Sequence, residues 1–231
     1  MTTRSLVFDT GPVISLALNN LLSILPELKQ HFHGAFLIPP SVKRELVDRP
    51  IESIRFKFEA LQVLSAIEAG TFTVADPGPY HQQTMALLDT ANQVFHSNGN
   101  PLLIIHYAEM EALATAVGMR AAAMVVDERT TRMIVENPDK LQELLERKLS
   151  TRVTRDKGML AKFQKMAASV KFLRSTELAV MAYELGLLDR YVLRIPHARR
   201  QLLQGMLWGL KLSGCGITPR EIDTIVKLEL Q

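Results

Sequence analysis

The chain has 231 residues, of which 47% are hydrophobic and one, Cys215, is a cysteine. This composition provides a sizeable core and excludes a disulfide framework and a cysteine-based zinc cluster. No run of about 18 uncharged apolar residues occurs, and the N-terminus lacks a basic region followed by an apolar stretch. We therefore expect a soluble, cytoplasmic protein with no membrane segment.

The formal net charge of +3 is small, but positive charge is concentrated in one stretch. Between Arg147 and Arg174, nine Lys or Arg residues accompany a single acid, Asp156. Such a basic block favours a polyanionic partner, although a solvated helix face has the same composition.

The N-terminal motif is a short apolar run that ends in an acid. Residues Ser5 to Phe8 are followed by Asp9, and Pro12 then begins a helical pattern. A short apolar run bounded by Gly and Pro predicts a buried parallel strand. Asp9 would lie at the carboxyl end of that strand, where open α/β sheets bind their ligands.

Strand and helix patterns alternate along the rest of the chain. Further strands are predicted at residues 34–38, 71–74, 122–126 and 169–173. Helices are predicted at residues 12–32, 41–48, 53–69, 80–97, 101–118, 128–136, 138–149, 156–168, 175–186 and 197–213, with a last helix from 218 onward. This alternation predicts an α/β fold in which helices cover both faces of a parallel sheet.

Four acids in these contexts resemble the pattern of the PIN-domain nucleases, the fold of many prokaryotic toxin ribonucleases. Asp9 follows the first strand, and Glu45 lies in the helix after the second strand. Glu109 begins the helical sequence Glu-Met-Glu-Ala-Leu-Ala-Thr-Ala, and Asp127 ends an apolar strand. Arg132 falls on an arginine of the same pattern.

The resemblance is closest to a PIN subgroup with a C-terminal helical hairpin. It implies a three-layer α/β/α domain over residues 1–195, with helical insertions at about 49–100 and 135–168. It also implies that residues 196–231 form a helical hairpin packed on this domain.

The resemblance further implies that Asp9, Glu45, Glu109 and Asp127 are the catalytic residues and hold Mg²⁺ or Mn²⁺. Carboxylate oxygens suit these cations, and a bound cation relieves the repulsion between clustered carboxylates. A metal site of this kind activates water for the hydrolysis of a phosphodiester.

Thr10, Glu111, Glu128 and Arg132 are candidate supporting residues. Thr10 is placed to orient a carboxylate or a water, and Arg132 to neutralise phosphate or pair with an acid. Glu128 is an alternative to Asp127, since it also lies at the start of the following helix.

Glu111 competes with Glu109 for the third acidic position. Glu109 shares a helix face with the small residues Ala112 and Ala116 and is expected to face the protein. Glu111 lies about 200° further round the helix and is expected to be solvated. A helix that begins at Pro101 would place Glu109 two turns inside it, whereas the third acid of PIN domains is usually near the helix start.

These features favour a metal-dependent endoribonuclease, of a toxin or RNA-processing type. RNA is the expected substrate, and an antitoxin, another protein or a second copy of the chain are candidate partners. The candidate RNA-binding residues are Arg152, Arg155, Lys162 and Lys165. The alternative is a PIN-like module that binds RNA or a protein with little cleavage.

Overall fold

The computed structural model describes residues 4–76 and 78–229. Its strands are β1 (Ser5–Phe8), β2 (Ala35–Ile38), β3 (Thr73–Val74), β4 (Phe95–Ser97), β5 (Asn100–Pro101), β6 (Ala123–Val125), β7 (Val153–Arg155) and β8 (Phe172–Leu173). Five of them form a parallel sheet in the order β3-β2-β1-β6-β8. The other three form an antiparallel sheet in the order β5-β4-β7.

Helices connect the strands and also follow the last of them. They are α1 (Thr10–Leu18), α2 (Leu25–Phe32), α3 (Pro40–Lys43), α4 (Arg49–Ile51), α5 (Lys57–Glu68), α6 (His81–Ala91), α7 (Tyr107–Gly118), α8 (Arg129–Glu136), α9 (Pro138–Leu149), α10 (Lys157–Ala167), α11 (Ser175–Glu184), α12 (Ala198–Leu212) and α13 (Pro219–Leu228). A π-helical turn (Arg44–Asp48) joins α3 to α4.

The side chains of β1 alternate between two hydrophobic clusters, one on each face of the sheet. Phe8 packs against Phe36 and Phe72, with ring centroids 5.1 and 5.2 Å apart. The cluster around Phe8 is closed by α1, α2 and α11 to α13, and that around Val7 by α6 to α10. The expected three-layer α/β fold is therefore confirmed.

The last two helices belong to the same core as the first strand. Leu203 and Leu207 of α12 and Ile222 of α13 are fully buried in the cluster that contains Phe8. The division into a domain of residues 1–195 and a hairpin of residues 196–231 stays a prediction, and its first three and last two residues lie outside the described part.

A β-hairpin replaces the end of one predicted helix and the beginning of the next. Asn98 and Gly99 both have positive φ, 51° and 80°, and they connect the paired residues Ser97 and Asn100. An Asn-Gly pair at two left-handed positions is the signature of a type I′ hairpin turn. The helix predicted from residue 101 consequently begins at Tyr107, so the expected offset of Glu109 is wrong. Glu109 lies in the first turn, as in the PIN pattern.

The second sheet connects the two predicted insertions. β4 of the first insertion pairs with β7 of the second, with Phe95 opposite Arg155. β7 was not predicted, because this three-residue strand is stabilised by a partner far away in the chain.

Within the described residues, no single helix is long and apolar enough to cross a membrane. α1 and the helical segment that ends with α2 meet the length and composition criteria together, but they are bent by 106°.

Candidate acidic site

The carboxyl edge of the parallel sheet brings Asp9 next to β6. The Asp9 amide donates to the Val125 carbonyl at 2.9 Å, which extends the pairing of β1 with β6 by one residue. Asp9 is also the N-cap residue of α1, and only 4% of its surface is exposed. Strand pairing and helix start together fix this side chain at the edge where α/β sheets bind ligands.

The carboxyl group of Asp9 is buried close to other carboxyl groups. Burial, together with the negative charges of Glu109 and Glu45, raises its pKa to about 7. The backbone amides of Thr10 and Gly11 act in the opposite direction. Asp9 therefore needs a proton or a cation to be stable in this position.

Glu45 is half-buried in the π-helical turn that follows β2. Its Oε2 atom accepts a hydrogen bond from Thr10 Oγ1 at 2.8 Å, so Thr10 orients this carboxylate. Single π-helical turns are rare and occur often at functional sites. The Thr10 bond links the helices after β1 and β2, both at the carboxyl edge of the sheet.

Glu109 lies at the N-terminus of α7, where it forms part of a capping box. The amide of the N-cap residue His106 donates to Glu109 Oε2 at 2.7 Å. Burial raises the pKa of Glu109 to about 7 despite this bond, and the charges of Glu128 and Glu45 also raise it. Glu109 thus faces two other carboxylates as well as Asp9.

Glu128 and Thr131 approach Glu109 from α8. Glu128 is exposed, and its Oε1 atom accepts hydrogen bonds from the amide and hydroxyl of Thr130 at 2.9 and 2.7 Å. Thr131 is buried beside Glu109 and lowers the pKa of that residue, yet Thr131 Oγ1 has no hydrogen bond of regular geometry. Thr131 was not predicted, although its i+3 spacing from Glu128 places both on one helix face.

Both carboxylate oxygens of Asp127 already have hydrogen-bond donors. It is 2% exposed, and its two carboxylate oxygens accept hydrogen bonds from the amide and hydroxyl of Ser175 at 2.8 and 2.7 Å. The Asp127 carbonyl also accepts from the Gly216 amide at 3.0 Å. Asp127 therefore joins β6 to the start of α11 and to the loop between α12 and α13.

The expectation that Glu111 is solvated is wrong. Glu111 is 4% exposed, and its Oε2 atom accepts hydrogen bonds from the hydroxyl and the amide of Ser41, the latter at 2.8 Å. The Tyr107 hydroxyl donates to Glu111 Oε1 at 3.4 Å. α7 is enclosed on several sides, so Glu109 faces the other acids while Glu111 faces the start of α3.

The donor set of the acidic site, which we define as Asp9, Glu45, Glu109 and Glu128, fits a hard divalent cation. All four ligands would be carboxylate oxygens, which Mg²⁺ and Mn²⁺ prefer. The hydroxyl of Thr131 is a further oxygen beside Glu109. Among residues 4–76 and 78–229, no three His, Cys, Asp or Glu side chains are close enough to form a preformed metal centre.

The candidate phosphate-binding residues occupy different environments. Arg132 is half-buried, 3.5 Å from the Gly216 carbonyl and 3.6 Å from Glu136. Arg155 forms an ion pair with Asp139 at 2.7 Å, and its side chain is largely buried. The remaining residues of the predicted set, Arg152, Lys162 and Lys165, are exposed.

Comparison with known proteins gives one family. The family model DUF3368, described as a PIN domain, matches residues 5–139. This range contains every residue of the acidic site and ends at the start of α9. No curated protein and no solved structure matches the chain.

Proposed function

Because the chain belongs to the PIN-domain family, whose members are typically nucleases, we propose that it is an endoribonuclease dependent on Mg²⁺ or Mn²⁺. The observation that carries the proposal is the position of Asp9 and Glu109. Asp9 is buried and Glu109 is half-buried, both have a pKa raised to about 7, and each is close to other carboxylates. This arrangement is unfavourable without a cation and becomes favourable when one binds.

Each residue of the acidic site has a distinct contribution. Asp9 and Glu109 would bind the cation from the carboxyl edge of the sheet and the N-terminus of α7. Glu45 would bind it from the π-helical turn, in the orientation that the Thr10 hydroxyl sets. When bound, the cation would supply an activated water and stabilise the leaving oxygen of the phosphodiester.

For the fourth carboxylate we propose Glu128 in place of Asp127. The charge of Glu128 acts on Glu109, whereas both oxygens of Asp127 are bound to Ser175. Asp127 would then position the acidic site indirectly, by fixing the end of β6 from which Glu128 extends.

RNA is the proposed substrate, and the exposed cations of the basic block are proposed to guide its backbone. Arg152, Lys162 and Lys165 remain in this role, because they are exposed. Each phosphate contact that they make would steepen the log–log salt dependence of RNA binding by about 0.7.

The test is cleavage of a labelled single-stranded RNA by the purified protein, with Mn²⁺, with Mg²⁺ and with EDTA. We expect cleavage with either metal and none with EDTA. Glu128→Gln should lower the rate at least about tenfold, whereas Asp127→Asn should lower the stability of the fold more than the rate of the folded protein. Metal-independent cleavage, or full activity of Glu128→Gln, would contradict the proposal.

A further inference from the structure

A cavity of about 720 Å³ opens beside the acidic site, between α8, α9 and the loop that precedes α13. Its cationic lining consists of Arg129, Arg132, Lys140, Arg147 and Arg174. We call this cavity the basic groove. It is larger than the 650 Å³ cavity between α11 and α13 and lies one residue from Glu128.

α8 separates the acidic site from the basic groove. Glu128 and Thr131 lie on the side of Glu109, whereas Arg129 and Arg132 line the groove. Successive residues of a helix are rotated by about 100°, so each i, i+3 pair occupies its own face. A nucleic-acid strand bound at the acidic site would therefore cross the first turn of α8 to reach the groove.

Three cations of the groove form no ion pair with a carboxylate of residues 4–76 or 78–229. Arg174 is neutralised by Glu177 at 2.5 Å and by Glu221 at 2.8 Å, and Arg132 is 3.6 Å from Glu136. The ion pairs found in the described part of the chain involve none of Arg129, Lys140 and Arg147. The acids of the groove are thus already paired, and the cations in excess are available to an anion.

The groove also has an apolar wall. Phe172, Met133 and Leu144 line it together with the cations. Phe172 is half-buried, so part of its ring is accessible. An aromatic surface beside cations is the combination that binds the bases and phosphates of single-stranded nucleic acid.

The groove depends on a close approach of the loop before α13. A Cβ atom on Gly216 would lie 2.7 Å from Arg129 Cγ and 2.7 Å from the Asp127 carbonyl oxygen. Glycine at this position lets the loop pack directly on Arg129. Arg147, Phe172 and Gly216 all lie beyond residue 139, where the match to the PIN family ends.

We propose that the basic groove binds one nucleotide of single-stranded RNA, adjacent to the phosphodiester that is cleaved. The unpaired cations Arg129, Lys140 and Arg147 would bind phosphate oxygens, and the base would stack on Phe172. This proposal rests on the proposed function, because it places the nucleotide relative to the acidic site. It assigns RNA binding next to the cleavage point largely to segments outside the PIN match, which supply Lys140, Arg147 and Phe172.

The experiment measures RNA binding without cleavage. Asp9→Asn is the background, and anisotropy of a labelled eight-nucleotide single-stranded RNA is recorded over a salt series. Adding Lys140→Gln and Arg147→Gln should weaken binding at least about tenfold and lower the salt slope by about 1.4, since each lost contact removes about 0.7. The control adds Arg194→Gln and Arg200→Gln, which remove the same charge from exposed positions near the start of α12.

A second experiment tests whether one base of the RNA stacks on Phe172. An abasic residue scanned along the same RNA should weaken binding at one position several-fold, and Phe172→Leu should remove this dependence on position. If Phe172→Leu is not folded, the scan of the protein that retains Phe172 decides alone. Equal effects of groove and control substitutions, or a uniform response to the abasic residue, would overturn the proposal. Loss of RNA binding in the groove variant of a protein without nuclease activity would support the groove and refute only the enzyme.

Discussion

Asp9 and Asp127 end neighbouring strands of one sheet, and both are almost completely buried. Asp127 accepts two hydrogen bonds from Ser175, and Glu111 is bound in the same way by Ser41. Asp9 and Glu109 instead have other carboxylates as neighbours, and burial raises the pKa of each to about 7.

The difference shows that burial alone does not identify a metal ligand. A buried carboxylate with serine donors on its oxygens is already satisfied and fixes two elements to each other. A buried carboxylate whose neighbours are acids is satisfied only when a cation or a proton is present. We call Asp127 and Glu111 the satisfied pair, and Asp9 and Glu109 the cation-dependent pair.

The largest expected effect comes from removing the charge of Asp9. Asp9→Asn deletes one ligand while keeping the shape of the side chain, so cleavage with Mn²⁺ should fall at least about 10²-fold. The folded, metal-free variant should be as stable as the wild type or more stable. Rates are measured with a labelled RNA at saturating metal, and undiminished cleavage would remove Asp9 from the acidic site.

The next effect is on the pH dependence of stability. Because the folded-state pKa values of Asp9 and Glu109 are raised to about 7, the native state binds more protons than the unfolded state between about pH 4 and pH 7. The metal-free protein should therefore lose stability as pH rises through this range, by at least about 1.4 kcal/mol, the equivalent of one pKa unit. Mn²⁺ at pH 8 should reverse the loss.

Urea unfolding at pH 5 and pH 8, with EDTA or Mn²⁺, measures this dependence. The matched variant is Asp9→Asn with Glu109→Gln, which cannot titrate at these positions and should have a flatter profile. Superimposable profiles of the variant and the wild type would show that the pair is not strained.

Substitution in the satisfied pair should lower the stability of the protein, in contrast to substitution of Asp9. Asp127→Ala leaves the buried amide of Ser175 without an acceptor and should lower the free energy of unfolding by about 1–3 kcal/mol, whether or not metal is present. Ser175→Ala and the double variant complete a cycle that isolates the interaction of the two side chains. A coupling free energy near zero, or a loss that appears only with metal, would return Asp127 to the acidic site.

The sequence predicts the features of these two pairs that depend on neighbouring residues, and not those that depend on residues far away in the chain. The apolar runs before Asp9 and Asp127 predicted their strands correctly, because a buried parallel strand is encoded by its own residues. The hairpin at Asn98 and Gly99 was also predictable locally, because an Asn-Gly pair is typical of a hairpin turn. It was missed because Pro101 was interpreted as the first residue of a helix. Long-range partners could not be read from the sequence: nothing near Glu111 indicates Ser41, and nothing near Asp127 indicates Ser175.

The smallest predicted effect concerns the bond from Thr10 to Glu45, at 2.8 Å. Thr10→Val keeps the branched shape and removes the donor, so Glu45 loses the group that orients it toward the site. A neutral hydrogen bond donor to a charged acceptor contributes about 1.5–3 kcal/mol at most, and solvent can replace part of it at a half-buried carboxylate. We expect cleavage to slow by about three- to tenfold, with a higher Mn²⁺ concentration required for half-maximal rate. Thr10→Ser retains the hydroxyl and should remain close to the wild type in both measurements. If Thr10→Val and Thr10→Ser behave alike, the hydroxyl does not orient Glu45, and Glu45 reaches the cation without help from α1.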